Sequence, residues 1–277
     1  MWRGWNDFLS LAVPSWLMRI IEWWSWDIVV FLFGLLPDPH TSIASKNLCD
    51  QLVGLTFTSA NSLGTATSAV VGQAAGAGDA KRARKAMRTA LSIGFCIQVA
   101  LVSALVTVDR QFGLMRQLYA PEPRAAALAS SLLPWGAIFG LGHATQMLMA
   151  GAIVGTGKQA KTPHVLAVCY WVIGIPTGAF CAFVWPKNGP VGLWWCMLIG
   201  VICHNSFFLS LLFGKTPAGE AGGDRARCSL PWAIDWEDAI AKIARKQQAS
   251  KEANEASQKE AAAASREGVK KDPARLM

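Results

Sequence analysis

Uncharged apolar segments follow one another along the first 214 residues and are separated by short links that carry most of that region's charges. A helix needs about 20 apolar residues to cross the roughly 30 Å hydrocarbon core of a bilayer. Five windows of about this length lack charged residues, and a sixth is interrupted only by Arg19, Glu22 and Asp27. The pattern predicts six membrane-spanning helices, over residues 8–37, 51–76, 86–108, 125–153, 162–185 and 190–213.

The C-terminal segment, residues 215–277, has a different character because it holds half of the charged side chains. Residues 234–248 are predicted to form a short amphipathic helix, with acidic side chains near its start and basic ones near its end, as the helix dipole favours. Beyond it, apolar residues larger than Ala are scarce, which predicts a disordered or transiently helical end. The sequence thus divides into a membrane domain, residues 1–214, and a cytoplasmic tail.

The composition supports an all-α polytopic membrane protein and argues against a water-soluble enzyme. Hydrophobic residues make up 52% of the chain and charged residues 16%, where soluble domains have about a quarter of their residues charged. The seven cysteines are spread singly, and no nucleotide loop, metal cluster or catalytic triad is evident. We therefore expect no metal and no cofactor. The net charge of +8 does not line one helix face, so nucleic acid is not an expected partner.

Basic residues indicate the orientation of the predicted spans. The link between the second and third spans is the most basic part of the membrane domain, with Lys81, Arg82, Arg84, Lys85 and Arg88. The positive-inside rule places such a link in the cytoplasm. Both termini are then predicted to be cytoplasmic, in the plasma membrane or in an organelle membrane such as that of the vacuole.

The first predicted span contains the most unusual residue for a membrane interior. Glu22 lies near its middle, where an unpaired charge is costly, so the neutral carboxyl is favoured and a functional role is the default hypothesis. Such a group can take up a proton from one side and release it to the other. Trp23 and Trp26 could offer aromatic faces to an organic cation. The structural alternative is an ion pair with Arg19, three residues earlier on the same face.

Three further polar residues are candidates for the same site. Asp27 lies about 140° around the helix from Glu22, where it either faces a shared cavity or is solvated near the membrane interface. His143 and Gln146 share one face of the fourth span. A histidine there could titrate or bind substrate, and the alternative is a neutral ring hydrogen-bonded within the bundle.

These blocks resemble the eukaryotic-type multidrug and toxic compound extrusion (MATE) transporters. Residues 11–27, LAVPSWLMRIIEWWSWD, are similar to that family's seventh helix, and residues 67–86 to the end of its eighth. The sequence GTGKQ at 155–159 and the segment at 234–246 match later blocks. The resemblance covers nearly all of residues 5–247.

The resemblance implies a secondary active antiporter that exports organic cations or other amphiphilic compounds in exchange for protons or sodium. The family's carboxylates fall on Glu22 and Asp27. Family members usually have an apolar residue at Arg19, and animal members tend to carry Glu at His143. They also have twelve helices in two lobes, and this sequence resembles the second lobe only. A second six-helix lobe, from another copy or a full-length relative, is then an expected partner. The alternative is a non-transporting or regulatory half-lobe.

Overall fold

Helices account for all regular structure in the parts of the chain that are described. The computed structural model describes residues 5–159, 162–184, 188–214 and 234–271. The helices are α1 (Trp5–Phe33), α2 (Pro39–Gly76), α3 (Ala80–Phe112), α4 (Leu114–Leu118), α5 (Pro123–Gly155), α6 (Thr162–Ala167), a π-helical segment (Val168–Gly174), α7 (Ile175–Phe183), α8 (Gly189–Phe213) and α9 (Trp236–Lys271). The predicted all-α class is confirmed.

Four elements within the described ranges are long and apolar enough to cross a membrane. They are α3, α5, α8 and the continuous unit of α6, the π-helical segment and α7. The other two predicted spans form the long helices α1 and α2, which fall outside that group. Arg19, Glu22 and Asp27 lower the mean hydropathy of α1, and Ser, Thr and Gly lower that of α2. The count of six spans therefore stays a prediction.

Helix α2 begins at Pro39, well before the predicted span at residue 51. Asp38 caps it by accepting a hydrogen bond from the Thr41 backbone N–H at 3.3 Å, and proline suits the first helical position. The hydrogen bond from Thr41 lowers the pKa of the exposed Asp38 carboxyl. The predicted span begins later than the helix because it was drawn from segments without charged residues, which exclude Lys46 and Asp50. These two residues pair with each other within α2.

The fifth predicted span is one continuous helical unit with a π-helical segment in its middle. Pro176 follows that segment and has no N–H to donate to the carbonyl of Val172. The local widening is the kind of π-bulge that often accompanies functional sites. Tyr170 and Trp171 belong to this segment, and both contact residues of the site described below.

The centre of the bundle is α5, which packs against α2, α3 and α8. Its closest approach is to α2, where small residues let the two backbones meet. A Cβ atom added at Gly151 would lie 2.1 Å from the carbonyl oxygen of Gly64. Helix α1 lies against α2, α6 and α8, and its Glu22 side chain reaches His143 and Gln146 of α5.

The tail folds back onto the bundle. The Ile234 N–H donates to the carbonyl of Leu211 at 2.8 Å, and the Trp236 indole donates to that of Leu212 at 3.1 Å. Helix α9 packs against α2 and α3 and continues to Lys271. The helix thus runs past residue 248, where the short amphipathic helix was predicted to end, and residues 272–277 lie outside the described residues. The Ala, Glu, Lys and Gln residues of this segment have high intrinsic helix propensity. They favour a helix even where the segment has no apolar face.

Replacing Trp236 with alanine is expected to detach α9 from the bundle. The side chain is buried, and truncating a buried Trp costs about 3–5 kcal/mol. Limited trypsin digestion should then cleave after Arg245 faster than in the unmodified chain. Glu237→Ala, which changes an exposed neighbour, should leave the rate unchanged, and equal rates in all three proteins would contradict this docking.

Candidate functional site

The carboxylate of Glu22 is buried and held by side chains from two helices. His143 Nε2 lies 2.9 Å from its Oε1, and Gln146 Nε2 donates to the same oxygen at 2.8 Å. Arg19 Nη1 lies 3.4 Å from Oε2. The predicted pairing of Arg19 with Glu22 is thus present, and so is a contact between Glu22 and both polar residues of α5.

A second set of contacts fixes these partners in place. Tyr170 donates its hydroxyl to Gln146 Oε1 at 3.1 Å, so the amide nitrogen of Gln146 points at Glu22. Arg19 donates from Nη2 to Asn61 Oδ1 at 3.0 Å. The Trp171 indole donates to the carbonyl of Ile21 at 3.2 Å. The π-helical segment thereby ties α1 and α5 together at the level of the carboxylate.

The imidazole of His143 lies among aromatic rings. It stacks on Phe57 and Phe139, with ring centroids 5.2 and 5.5 Å apart, and lies 5.4 Å from Trp26. These rings fix its plane so that Nε2 faces Glu22. An ionised Glu22 can only accept, so His143 donates from Nε2 whenever Glu22 is ionised. No partner for His143 was evident from the sequence alone, and in the structure its partner is Glu22.

A cavity of about 380 Å³ opens beside this cluster, between α1, α2 and α5. Five of the six predicted site residues line it: Glu22, Trp23, Trp26, Asp27 and His143. Asp27 and Trp23 are exposed and lie where the cavity opens, whereas Trp26 is half-buried. Gln146 is not part of the lining and touches the cavity only through Glu22.

Sequence reasoning missed an ion pair on the opposite wall. Lys46 and Asp50 of α2 line the same cavity and bond to each other. Lys46 is 3% exposed, and its ammonium lies 5.7 Å from the Trp26 ring centroid. Asp50 Oδ1 is buried without a hydrogen-bond partner in the described part of the chain. Residues four apart lie on one face of a helix, so the spacing of Lys46 and Asp50 is compatible with an ion pair inside a helix. The pair was missed because the spans were predicted from segments without charged residues.

The charges that line the cavity nearly cancel. Three carboxylates, on Glu22, Asp27 and Asp50, face two cationic groups, on Arg19 and Lys46. With a neutral His143 and the other four groups charged, the wall carries one net negative charge when Glu22 is ionised and none when Glu22 is protonated. The protonation state of one buried group, Glu22, therefore decides whether the cavity wall is negative or neutral.

Replacing Gln146 with leucine should destabilise the protein by about 1–3 kcal/mol, because a buried polar group left unpaired carries that cost. The change removes a donor from Glu22 and the acceptor of the Tyr170 hydroxyl. Thermal unfolding in detergent measures the effect. Gln51→Leu, at an exposed position of the same cavity, provides the matched control, and an equal shift in both variants would contradict the network.

Comparison with known proteins identifies relatives of this chain. The MatE family model matches residues 14–180. Multidrug and toxin extrusion protein 2 of Oryctolagus cuniculus is 31% identical over 196 residues, which cover 71% of this chain and 32% of the relative. Protein DETOXIFICATION 14 of Arabidopsis thaliana is 30% identical over 213 residues, which cover 76% of this chain and 43% of the relative. The chain spans less than half the length of these relatives.

Solved structures share the fold. The crystal structure of the eukaryotic MATE transporter AtDTX14 superposes with a TM-score of 0.71 at 25% identity, over 88% of this chain and 49% of that one. A MOP superfamily transporter from Pyrococcus furiosus superposes with a TM-score of 0.65 at 18% identity, over 85% of this chain and 50% of that one. The second likeness shows the fold alone.

The family model extends over more than half of the chain, from α1 to α7. The resemblance stated from the sequence motifs is therefore confirmed, and with it the prediction of an integral membrane protein that is not an enzyme. This chain belongs to the MatE family, whose members are multidrug and toxin extrusion transporters.

Proposed function

We propose that this chain is one lobe of a secondary active antiporter, which exports organic cations or related amphiphilic compounds in exchange for protons. The observation that carries the proposal is the buried carboxylate of Glu22 in the wall of the cavity, held by His143, Gln146 and Arg19. Intramembrane acids that face a cavity are typical of proton relays. Sodium is the alternative coupling ion.

The charge balance of the cavity supports organic cations as substrates. With Glu22 ionised, the wall is net negative, and Trp23 and Trp26 offer apolar ring surface at the opening. Aromatic faces attract organic cations. Asp27 and Asp50 add acceptors for the cationic head, and Asp50 Oδ1 has no protein partner within the described ranges.

Protonation of Glu22 removes the net negative charge and weakens the hold on a cation. By linkage, a bound cation favours the ionised carboxyl to the same degree and expels the proton. Exchange follows if the cavity opens to one side of the membrane when protonated and to the other when loaded. Arg19 bonds to Glu22 and Asn61, and it can remain on Asn61 when the carboxyl is neutral.

We further propose that a second six-helix lobe, from another copy or a full-length relative, covers the cavity. Exposed Trp23 and Asp27 lie at its opening, and transporter sites commonly lie at the interface of two repeats. The complete site would then belong to the assembly, which sits in the membrane with both termini in the cytoplasm.

The proposal is tested by reconstituting the purified chain in vesicles, alone and together with a full-length relative. Uptake of a fluorescent organic cation should follow an imposed pH gradient and reverse when the gradient is reversed. If uptake occurs only with a sodium gradient, sodium is the coupling ion. If no gradient drives uptake in either preparation, the transport proposal is wrong and a non-transporting lobe is the better account.

A further inference from the structure

A groove outside the site runs between α2 and α3, next to the turn that joins them. Its volume is about 410 Å³. Apolar and small side chains from both helices form most of it, and two basic side chains close one end. The lining residues are Leu63, Ala66, Thr67, Val70, Arg82, Lys85, Ala86, Thr89 and Ala90.

The two basic side chains, Arg82 and Lys85, are available to a ligand. Both are exposed, and no ion pair within the described ranges joins either one to a carboxylate. The nearest acid in the chain, Asp79, accepts from the backbone N–H of Arg82 as the cap of α3. Lys81 and Arg88 add positive charge close by without lining the groove.

The dimensions of the groove match one leaflet of a bilayer. Along α3, the positions of Arg82 and Ala90 differ by about 12 Å at the usual rise per residue. Half of the hydrocarbon core is about 15 Å thick. The basic end lies at the α2–α3 turn, where a bilayer would present its headgroups, and the apolar end lies deeper along both helices.

We propose that this groove binds one anionic phospholipid, with its phosphate on Arg82 and Lys85 and an acyl chain along the apolar wall. Basic pockets between membrane helices bind acidic headgroups in this way. A nucleic acid or acidic peptide would match the charges and leave the apolar wall unused. The inference rests on the proposed insertion of α2 and α3 in the membrane and is independent of Glu22.

Native mass spectrometry of the purified chain in mild detergent tests the site. With equal amounts of phosphatidylglycerol and phosphatidylcholine, the bound lipid should be chiefly phosphatidylglycerol. The double variant Arg82→Gln/Lys85→Gln should weaken its retention by roughly tenfold or more. The matched double variant Lys81→Gln/Arg88→Gln loses the same amount of charge beside the groove and should still retain phosphatidylglycerol. An equal loss in both variants would overturn the site in favour of diffuse attraction.

A second variant probes the apolar wall. Ala66→Phe keeps every charge and fills the groove. Retention of phosphatidylglycerol should therefore fall as much as in the Arg82→Gln/Lys85→Gln variant. Inorganic phosphate should not compete. Retention unaffected by Ala66→Phe, or lost to free phosphate, would overturn the lipid. Glu22→Gln should retain the lipid fully, so failure of this inference and failure of the transport proposal give different results.

Discussion

Replacing Glu22 with glutamine is expected to reduce uptake driven by a pH gradient to the level of empty vesicles. Glutamine keeps the size of the side chain and can still bond to His143 and Gln146, but it carries no exchangeable charge. Position 22 then no longer changes its charge with pH, so a proton bound there on one side can no longer displace a cation on the other. The measurement is initial uptake of a fluorescent organic cation.

The control for this change is Glu237→Gln, the same substitution at an exposed position of α9. It should transport as the unmodified chain does in the same assembly. Exchange of labelled for unlabelled cation at equal pH separates coupling from binding. If Glu22→Gln kept full pH-driven uptake, Glu22 would be a packing residue, as its ion pair with Arg19 alone would suggest.

Replacing Gly151 with alanine should destabilise the bundle strongly. The added Cβ atom would meet the carbonyl oxygen of Gly64 at 2.1 Å, which is backbone and cannot turn aside. The α2–α5 contact must then open, and overpacking of this kind costs about 1–3 kcal/mol or more. Because His143 and Phe57 lie on these two helices, we also expect the stacking of their rings to change.

Gly54→Ala is the matched control for this substitution. Gly54 is also helical, and a Cβ atom there would meet nothing within 4 Å. Alanine favours a helix by roughly 0.5–1 kcal/mol over glycine, so this variant should unfold at the same or a higher temperature. Thermal unfolding in detergent compares the two, and equal midpoints would contradict close α2–α5 packing.

The helices that were predicted best from the sequence are those determined by the length of an apolar segment alone. The bounds of α5 and α8 lie within two residues of the predicted spans, because a bilayer requires a minimum uncharged length. The start of α2 and the end of α9 were missed for opposite reasons. In α2, the charges of Lys46 and Asp50 suggested a loop, although the two residues pair within the helix. In α9, the helix continues through a segment that has no apolar face.

The site was predictable to the extent that local spacing determines it. An acidic residue such as Glu22 in the middle of an apolar segment is unusual whatever the fold. The three-residue spacing of His143 and Gln146 placed both on one helix face. That this face meets Glu22 depends on where α1 lies in the bundle relative to α5, which no local pattern encodes. The contribution of Tyr170 depends on the π-helical segment, and that of Lys46 on a charge pair inside a helix. Both require the tertiary structure.

The exchange of a proton at Glu22 for a bound cation is tested most directly by proton release. The lobe, alone or assembled with a full-length relative, is held in weakly buffered detergent with a pH indicator, and a saturating organic cation is added. The unmodified chain should release protons, Glu237→Gln, at an exposed position of α9, should still release them, and Glu22→Gln should release none. Proton release that persists in Glu22→Gln would contradict the assignment of Glu22 as the coupling group.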